Sequence, residues 1–371
     1  MSTNSPQPSD ERYAFIQALR GIAAMLVVWS HLGGFWLLEN QEDSPFQRAW
    51  SAVVVQPLHL YQNGGHLGVV TFFLISGFII THASLRESRK TFFIRRVLRL
   101  GPPLLVATAI AAVLLVVAQA TNTVLLGVRG GGVGHWLAST ILVDGFLPGD
   151  RALDVTWTLV VEVAFYALTF AALRTTRLNP LRASWVLIGV WLALCLVMFA
   201  LPDGALGKNH WVLFYVGFLL VGRAIYFWSR GIIRPLDAAL QGALVLLLYC
   251  LFTEAVVPGF LLKPGGWGGV EPVVSYAIAL LAFILLLRAA PRRAVQPFEF
   301  FGNISYSLYL LHLPVGITVL NAFQRMGVAT WIGELVALLA SVVVSWVSYR
   351  WIEKPSQRLA RRLTRPATLA E

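Results

Sequence analysis

Residues 185–201 have the sequence WVLIGVWLALCLVMFAL, 17 consecutive residues without a charge. A second uncharged run, PPLLVATAIAAVLLVVA, occupies residues 102–118. A helix that crosses a bilayer needs about 20 predominantly apolar residues, and both runs reach that length with their flanks. Of 371 residues, 57% are hydrophobic and 13% are charged, whereas soluble domains carry about 25% charged residues. These features predict an all-α, polytopic membrane protein.

Ten predicted spans form one bundle and define a transmembrane domain over residues 13–355. The polar tail 1–12 precedes it, and no small-residue cleavage site follows the first apolar run, so this run is expected to be a retained span rather than a signal peptide. A basic tail, residues 356–371, follows the domain. The predicted spans are 13–36, 66–83, 101–119, 154–173, 184–201, 210–228, 236–253, 271–289, 300–322 and 331–352.

Basic residues are unevenly distributed between these spans. The chain has 29 Lys and Arg and a net charge of +11. No basic patch is interleaved with aromatic residues, so no nucleic-acid partner is expected. Cytoplasmic loops of membrane proteins collect Lys and Arg. Segment 84–100 and the C-terminal tail are rich in both, so both termini are predicted to be cytoplasmic. The alternate loops hold only Arg48, Arg129, Arg151, Lys208, Lys263 and Arg325.

The longest segment outside the spans is residues 120–153. Its apolar stretch, Trp136–Leu147, is too short to cross a bilayer, which needs about 20 residues. We therefore expect an interfacial or re-entrant segment on the outer side.

The first span carries two ionisable side chains, Arg20 and His31. Their separation of 11 residues exceeds three helical turns by about 20°, so both lie on one face, with His31 about 16 Å further along. Ionisable groups inside a bilayer cost about 2.5–3.5 kcal/mol each, which makes both candidates for function. The alternative is structural, with Arg20 extending to the membrane surface and His31 satisfied at the outer boundary.

The fourth span contains Thr156-Trp157 and places Glu162 near the membrane midplane. A lone carboxylate at this depth is expected to be protonated or paired. One hypothesis is that Glu162 orients His31, because histidine is the side chain suited to proton transfer near neutral pH. The alternative is a structural ion pair.

Segment 84–100 holds six basic residues, of which Arg96 and Arg99 are spaced i, i+3. It is expected to be a loop that leads into a helix opening at Gly101-Pro102-Pro103, because proline is favoured at helix starts. Helix N-termini bind anions, so a phosphate-rich cytosolic ligand would suit this corner. The alternatives are a topology signal alone or binding of anionic lipid head groups.

The ninth span is rich in polar side chains from Asn303 to His312. Polar groups at this density usually face the interior of a bundle. His312 is either a substrate contact or a packed interhelical hydrogen-bonding group, and both readings stay open.

No metal site is predicted. Four histidines are expected in outer loops without ligand spacing, namely His59, His66, His135 and His210. Cys195 and Cys250 lie in apolar runs and imply no disulfide.

Together these segments make the chain similar to the acyltransferase-3 family of integral membrane acyltransferases, which acetylate cell-envelope glycans. The matching motifs run in family order from residue 12 to about residue 355. They are Arg20-(ten residues)-His31; Gly68-Val69, Phe72-Phe73 and Ser76-Gly77-Phe78; Phe92 with Arg95-Arg96-Val97-Leu98-Arg99; Thr156-Trp157 with Glu162; Ser305-Tyr306 with Tyr309-Leu310-Leu311-His312; and Glu353-Lys354-Pro355.

The resemblance implies a ten-helix enzyme of the bacterial inner (plasma) membrane that transfers acetyl from cytosolic acetyl-CoA to a carbohydrate or glycolipid hydroxyl. Because the chain ends soon after the last span, no fused extracytoplasmic hydrolase-like domain is expected. No bound cofactor or metal is expected. The assigned site consists of His31, Glu162 and Arg20 as catalytic residues, Arg95, Arg96 and Arg99 as acyl-CoA contacts, and Trp157, Tyr306 and His312 as substrate contacts.

Two questions stay open at this level. Direct attack of the acceptor hydroxyl on the thioester is favoured over an acyl-His31 intermediate. A transporter or flippase of a glycan or glycolipid is the alternative function, because ten spans with charges near the midplane would suit it as well. The sequence lacks the internal repeats and paired interrupted helices that many transporters have.

Overall fold

The computed structural model describes residues 8–147, 150–201, 210–256, 270–289 and 298–365, which are mostly helical. The helices are α1 (Pro8–Ser30), α2 (Trp36–Asn40), α3 (Pro45–Trp50), α4 (Gly65–Arg86), α5 (Arg89–Ala120), α6 (Val133–Thr140), α7 (Trp157–Ala171), α8 (Leu173–Leu178), α9 (Pro180–Ala200), α10 (Val216–Ser229), α11 (Pro235–Val256), α12 (Val270–Ala289), α13 (Glu299–Leu311), α14 (Ile317–Arg325), α15 (Thr330–Ser348) and α16 (Lys354–Leu363). Turns of π-helix cover His31–Phe35, Ser51–Val55, His312–Gly316 and Tyr349–Glu353, and turns of 3₁₀-helix cover Tyr61–Gly64, Asp144–Phe146, Asp154–Thr156 and His210–Tyr215.

Within the described residues, 10 helical segments are long and apolar enough to cross a membrane. They follow the order of the ten predicted spans, which confirms the prediction of an all-α, multi-pass membrane protein. Several are longer than predicted because π-turns join consecutive helices. The segments are Phe15–Asn40, Tyr61–Arg86, Arg89–Ala120, Asp154–Ala171, Pro180–Ala200, Trp211–Ser229, Pro235–Ala255, Glu271–Arg288, Glu299–Arg325 and Thr330–Leu363.

The helices form two compact units. The first comprises the described parts of Met1–Ile75 and Val257–Ser345, and the second those of Ser76–Val256 and Trp346–Glu371. In the first unit, α1 packs along α13 and contacts α12. In the second unit, α10 packs against α9 and α11, and α16, which includes part of the predicted C-terminal tail, packs on α5.

Two glycines allow the backbones of α1 and α13 to approach closely in the first unit. A Cβ atom added to Gly302 would overlap the carbonyl group of Gln17, and one added to Gly21 would overlap the carbonyl oxygen of Phe298. Small residues permit such close helix crossings in membranes. This crossing brings the side chains that follow on the two helices within hydrogen-bonding distance of each other.

The basic segment is helical in the second unit, which corrects the prediction of a loop. α5 begins at Arg89, because Ser88 Oγ accepts the backbone N–H of Thr91 as an N-cap, and it continues through Pro102 and Pro103. Each proline removes one intrahelical hydrogen bond, but the cap and the long apolar continuation maintain the helix. The predicted helix start at Gly101 is therefore wrong, and the arginines lie on the first turns of α5.

The described part of segment 120–153 contains α6 and short turns, and it has no helix long enough to cross a membrane. The buried Asp144 organises it, since its carboxylate accepts the backbone N–H groups of Gly145 and Ala152, each at 3.0 Å. An isolated bridge joins Val128 to Leu153. The outward location of this segment stays a prediction.

Candidate functional site

Two histidines from distant parts of the sequence meet in the first unit. His31 begins the π-turn that follows α1, and His312 begins the π-turn that follows α13. Their ring centroids are 5.0 Å apart, and the ring planes are inclined by 44°. Single π-turns inside α-helices occur frequently at functional sites. His312 is fully buried, with 0% of its surface exposed, whereas His31 is partly buried.

The hydrogen bonds of this pair determine which nitrogen carries each proton in two neutral imidazoles. Nδ1 of His312 lies 3.1 Å from the carbonyl oxygen of Leu308, which can only accept, so this Nδ1 is the donor. Nε2 of His312 is then an acceptor, and it lies 3.1 Å from Nδ1 of His31.

It follows that Nδ1 of His31 is protonated. It donates to His312 and to the carbonyl oxygen of Val27, which is 2.9 Å away. Nε2 of His31 therefore keeps a lone pair. Among the described residues, no hydrogen bond reaches this Nε2. The arrangement provides a neutral imidazole of defined tautomer that can accept a proton.

Arg20 forms a second polar contact between α1 and α13. Its Nη2 donates to Ser305 Oγ at 2.8 Å and its Nη1 to Gln17 Oε1 at 3.3 Å. Ser305 Oγ donates to the carbonyl oxygen of Gly302 at 2.8 Å, which leaves its lone pairs directed to Arg20. Arg20 and His31 thus contact one continuous helical segment, Glu299–Arg325, as their predicted position on one helix face requires.

An aromatic ring from α13 lies beside His312. The ring of Tyr309 lies 6.0 Å from His312 and 6.1 Å from Phe72. Tyr306, expected to contact substrate, is 7% exposed. Its role as a substrate contact stays a prediction.

The arginines of α5 converge in the second unit. Nη1 of Arg95 donates to Glu87 Oε1 at 2.9 Å, and Nη1 of Arg96 donates to Glu87 Oε2. The guanidinium of Arg96 also lies 4.2 Å from the centre of the Phe92 ring. Arg99 interacts electrostatically with Arg96 and with the Tyr166 hydroxyl. The three predicted donor contacts therefore form one cationic cluster.

Glu162 lies beside this cluster in the second unit. Its Oε1 accepts hydrogen bonds from the Tyr166 hydroxyl and from Ser76 Oγ, the latter at 3.4 Å. Arg96 and Arg99 both act electrostatically on Tyr166. The Glu162 carboxyl group is thus held by two hydroxyl groups. That Glu162 orients His31 stays a prediction.

Trp157 lies in an aromatic cluster at the start of α7. Its ring centroid is 5.5 Å from that of Trp211 and 5.0 Å from that of Tyr215. All three side chains are partly exposed. Partly exposed aromatic rings can bind a sugar face, and they are also common at membrane surfaces.

Sequence reasoning missed Glu87 and Arg177. Arg177 Nε donates to the carbonyl oxygen of Ser84 at 3.1 Å, and its Nη2 donates to that of Glu87. The available signal was that Glu87 is the one acidic residue within the basic segment 84–100.

The histidine assignments also need correction. His66 lies in α4 and is buried, with Nε2 3.0 Å from the Tyr276 hydroxyl, and His135 lies in α6, so neither is in a loop. The apolar flanks of both residues extend the helices over them. Among the described residues, no group of three His, Cys, Asp or Glu could hold a metal ion.

Comparison with known proteins gives a consistent picture. A family model described as an acyltransferase domain (acyltransferase-3) matches residues 13–350. Nodulation protein 10 of Rhizobium leguminosarum bv. viciae is 28% identical over 330 residues, which cover 80% of this chain and 85% of that protein. O-acetyltransferase OatA of Staphylococcus aureus (strain NCTC 8325 / PS 47) is 25% identical over 353 residues, covering 84% and 56% of the two chains.

Peptidoglycan O-acetyltransferase OatA of Listeria monocytogenes serovar 1/2a is 25% identical over 350 residues, which cover 84% of this chain and 55% of that protein. The chain thus spans little more than half the length of the two OatA proteins. No solved structure matches the chain.

Proposed function

Since the chain belongs to the acyltransferase-3 family, we propose that it transfers an acyl group, preferentially acetyl, from acyl-CoA to a hydroxyl group of a cell-envelope or exported carbohydrate. The protein is a multi-pass membrane protein. Two relatives that cover most of this chain are named O-acetyltransferases, one of them acting on peptidoglycan. Their names support an acetyl donor and a glycan acceptor.

The observation that carries the proposal is the His31–His312 pair. His31 Nε2 accepts the proton of an acceptor hydroxyl, and the oxygen attacks the thioester carbonyl. The carbon–sulfur bond then breaks, and the CoA thiolate takes the proton from the His31 imidazolium. The products are an ester and CoA thiol, so atoms and charges balance without a metal or a nucleotide. General-base catalysis contributes about 10²–10⁴-fold to such reactions.

The donor is proposed to bind at the cationic cluster of Arg95, Arg96 and Arg99. Guanidinium groups bind phosphate oxygens through two parallel hydrogen bonds, and CoA carries several phosphate groups. Because these residues lie near the start of α5, the phosphates would be held at the membrane surface while the pantetheine arm extends inward. Trp157, Tyr306 and His312 are the proposed substrate contacts, with His312 acting chiefly through His31.

Arg20 is proposed to act near the donor. Its guanidinium is oriented by hydrogen bonds to Ser305 Oγ and Gln17 Oε1. A guanidinium held in a fixed direction can stabilise a developing oxyanion.

The test uses purified protein with acetyl-CoA and a soluble oligosaccharide acceptor. Release of CoA and the mass of the acetylated sugar are measured together. The wild type is expected to release CoA in proportion to sugar acetylated. His31→Ala is expected to lose at least about 100-fold in rate while it still inserts and purifies.

His59→Asn is the matched control for loss of one imidazole. His59 is exposed and has φ of 46°, a left-handed conformation that Asn tolerates. It should retain wild-type activity. If His31→Ala kept more than about a tenth of the rate, a general-base role for His31 would be refuted.

A further inference from the structure

Glu87 lies in the turn between α4 and α5, immediately before the cationic cluster. Each of its carboxylate oxygens accepts a hydrogen bond from a different arginine, Arg95 at 2.9 Å and Arg96. These arginines are consecutive on α5, where successive side chains diverge by about 100°. An anion between them brings both guanidinium groups to one place.

Each arginine is held by a second contact as well. Arg95 Nε donates to Thr364 Oγ1 at 3.2 Å, and Arg96 packs over the Phe92 ring. Arg96 and Glu87 are largely buried, with 11% and 13% of their side chains exposed, whereas 38% of Arg95 is exposed. A guanidinium has five N–H donors, so these contacts leave donors for an incoming phosphate.

The turn that carries Glu87 is itself anchored. Arg177, on α8, donates to the carbonyl oxygens of Ser84, in the last turn of α4, and of Glu87, in the turn that follows. Ser88 then caps α5. The Glu87 backbone is therefore held from both sides, and its carboxylate has a defined direction.

We propose that Glu87 is a positioning residue that holds Arg95 and Arg96 in the orientation that binds the phosphates of the acyl donor. The inference rests on the proposed function, which places the donor phosphates at this cluster. The proposal also predicts the direction in which donor affinity changes when Glu87 is replaced, and this direction is opposite to the one that electrostatics alone would give. Removing the negative charge of Glu87 makes the cluster more positive, which alone would strengthen binding of an anion. Loss of the shared anchor separates the two guanidinium groups, and this weakens binding.

The experiment compares two donors, acetyl-CoA and acetyl-pantetheine, which lacks phosphate. For Glu87→Gln, KM for acetyl-CoA is expected to rise about tenfold, since one arginine loses a charge-assisted hydrogen bond to its anchor. The kcat value and the kcat/KM for acetyl-pantetheine should stay unchanged. Glu87→Asp keeps the charge but is shorter, so its KM for acetyl-CoA should lie between those of wild type and Glu87→Gln.

Asp237→Asn is the matched control. Asp237 accepts from Arg234 at 2.9 Å in the same unit but is part of neither proposed site, so this variant should leave both donors unaffected. A lower or unchanged acetyl-CoA KM in Glu87→Gln, or equal losses with both donors, would overturn the role of Glu87. If Glu87→Gln cannot be purified, Glu87→Asp decides the question: a raised KM for acetyl-CoA supports the positioning role, and a wild-type KM rejects it.

Failure of the underlying donor assignment has a different signature. If wild-type protein used acetyl-pantetheine as efficiently as acetyl-CoA, no phosphate site would exist, whatever Glu87→Gln did. If the wild type used acetyl-CoA more efficiently than acetyl-pantetheine but Glu87→Gln had a wild-type KM for acetyl-CoA, only the positioning role of Glu87 would be rejected.

Discussion

Nε2 of His312 lies 3.1 Å from Nδ1 of His31, and this contact joins residues 281 positions apart in the sequence. His312 takes the place that a carboxylate takes beside many catalytic imidazoles. Together with the carbonyl oxygen of Val27 it accepts from Nδ1 of His31. It does so without placing a further charge inside the membrane, where a charge costs about 2.5–3.5 kcal/mol. The glycines of α1 and α13 make this distance possible because the two backbones touch at Gly302.

The first prediction concerns the acceptor atom of His312. His312→Leu removes it and should lower kcat by at least about tenfold, with an unchanged KM for acetyl-CoA. The Nδ1–H of His31 then keeps only the carbonyl oxygen of Val27 as acceptor, so the imidazolium that forms during transfer is less stabilised. In His312→Gln the side-chain oxygen can replace Nε2 as acceptor, so much of the rate should return. Initial rates of the purified variants provide the measurement. Full activity of His312→Leu would show that the pair is structural.

The second prediction concerns the cationic cluster. Arg96→Ala and Arg99→Ala should raise KM for acetyl-CoA about tenfold, and Arg99→Lys should also be impaired, because Lys cannot form two parallel bonds to phosphate. Arg86→Ala should have a milder effect. Donor affinity should weaken as salt is added. A fully active Arg99→Lys with salt-independent affinity would mean that the cluster is a topology signal only.

The third prediction tests the helix crossing. Gly302→Ala should destabilise the protein by about 1–3 kcal/mol, because the added carbon meets backbone atoms that no rotamer change can move. Thermal unfolding in detergent measures the change. Gly242→Ala is the control, since a Cβ there meets nothing within 4 Å and alanine is the better helix former. Equal stability of both variants would contradict the close approach of α1 and α13.

The fourth prediction concerns orientation. In a background with Cys195→Ala and Cys250→Ala, a membrane-impermeant thiol reagent added outside intact cells should label Val124→Cys. It should not label Arg89→Cys or Arg358→Cys, because basic segments stay in the cytoplasm. Residues 124 and 358 are both exposed on the protein surface. Whether the reagent reaches them therefore depends only on the side of the membrane on which they lie. Outside labelling at position 89 or 358 would reverse the orientation.

The fifth prediction is that acyl groups cross the membrane during transfer. The donor cluster lies in the basic segment, whereas His31 is about 16 Å further along its helix than Arg20, a distance that suits a pantetheine arm. Sealed vesicles of known orientation should acetylate an acceptor on the outer face from acetyl-CoA on the cytoplasmic face. Transfer is downhill from thioester to ester, so no gradient is needed. A requirement for both substrates on the cytoplasmic face would rule out crossing.

Much of the site could be anticipated from local spacing. The shared face of Arg20 and His31 follows from helical periodicity, which depends only on positions within one helix. The start of α5 was mispredicted because Gly101-Pro102-Pro103 is a strong local start signal, whereas the cap at Ser88 and the continuation through both prolines prevailed. The anchor at Glu87 was missed because a lone acidic residue in a basic segment has no periodic pattern.

The sequence by itself determined the ten spans, the multi-pass class and the candidate residues, because the cost of placing a side chain in a bilayer depends on a local run of residues. Only the tertiary structure decided which polar groups are partners. His312 pairs with His31, Ser305 with Arg20, and Glu87 with two arginines of α5. The physical reason is that a buried hydrogen bond requires two groups within about 3 Å. For His312 and Ser305 this distance is set by the crossing of α1 and α13 at Gly302, whose close neighbours are backbone atoms far away in the chain.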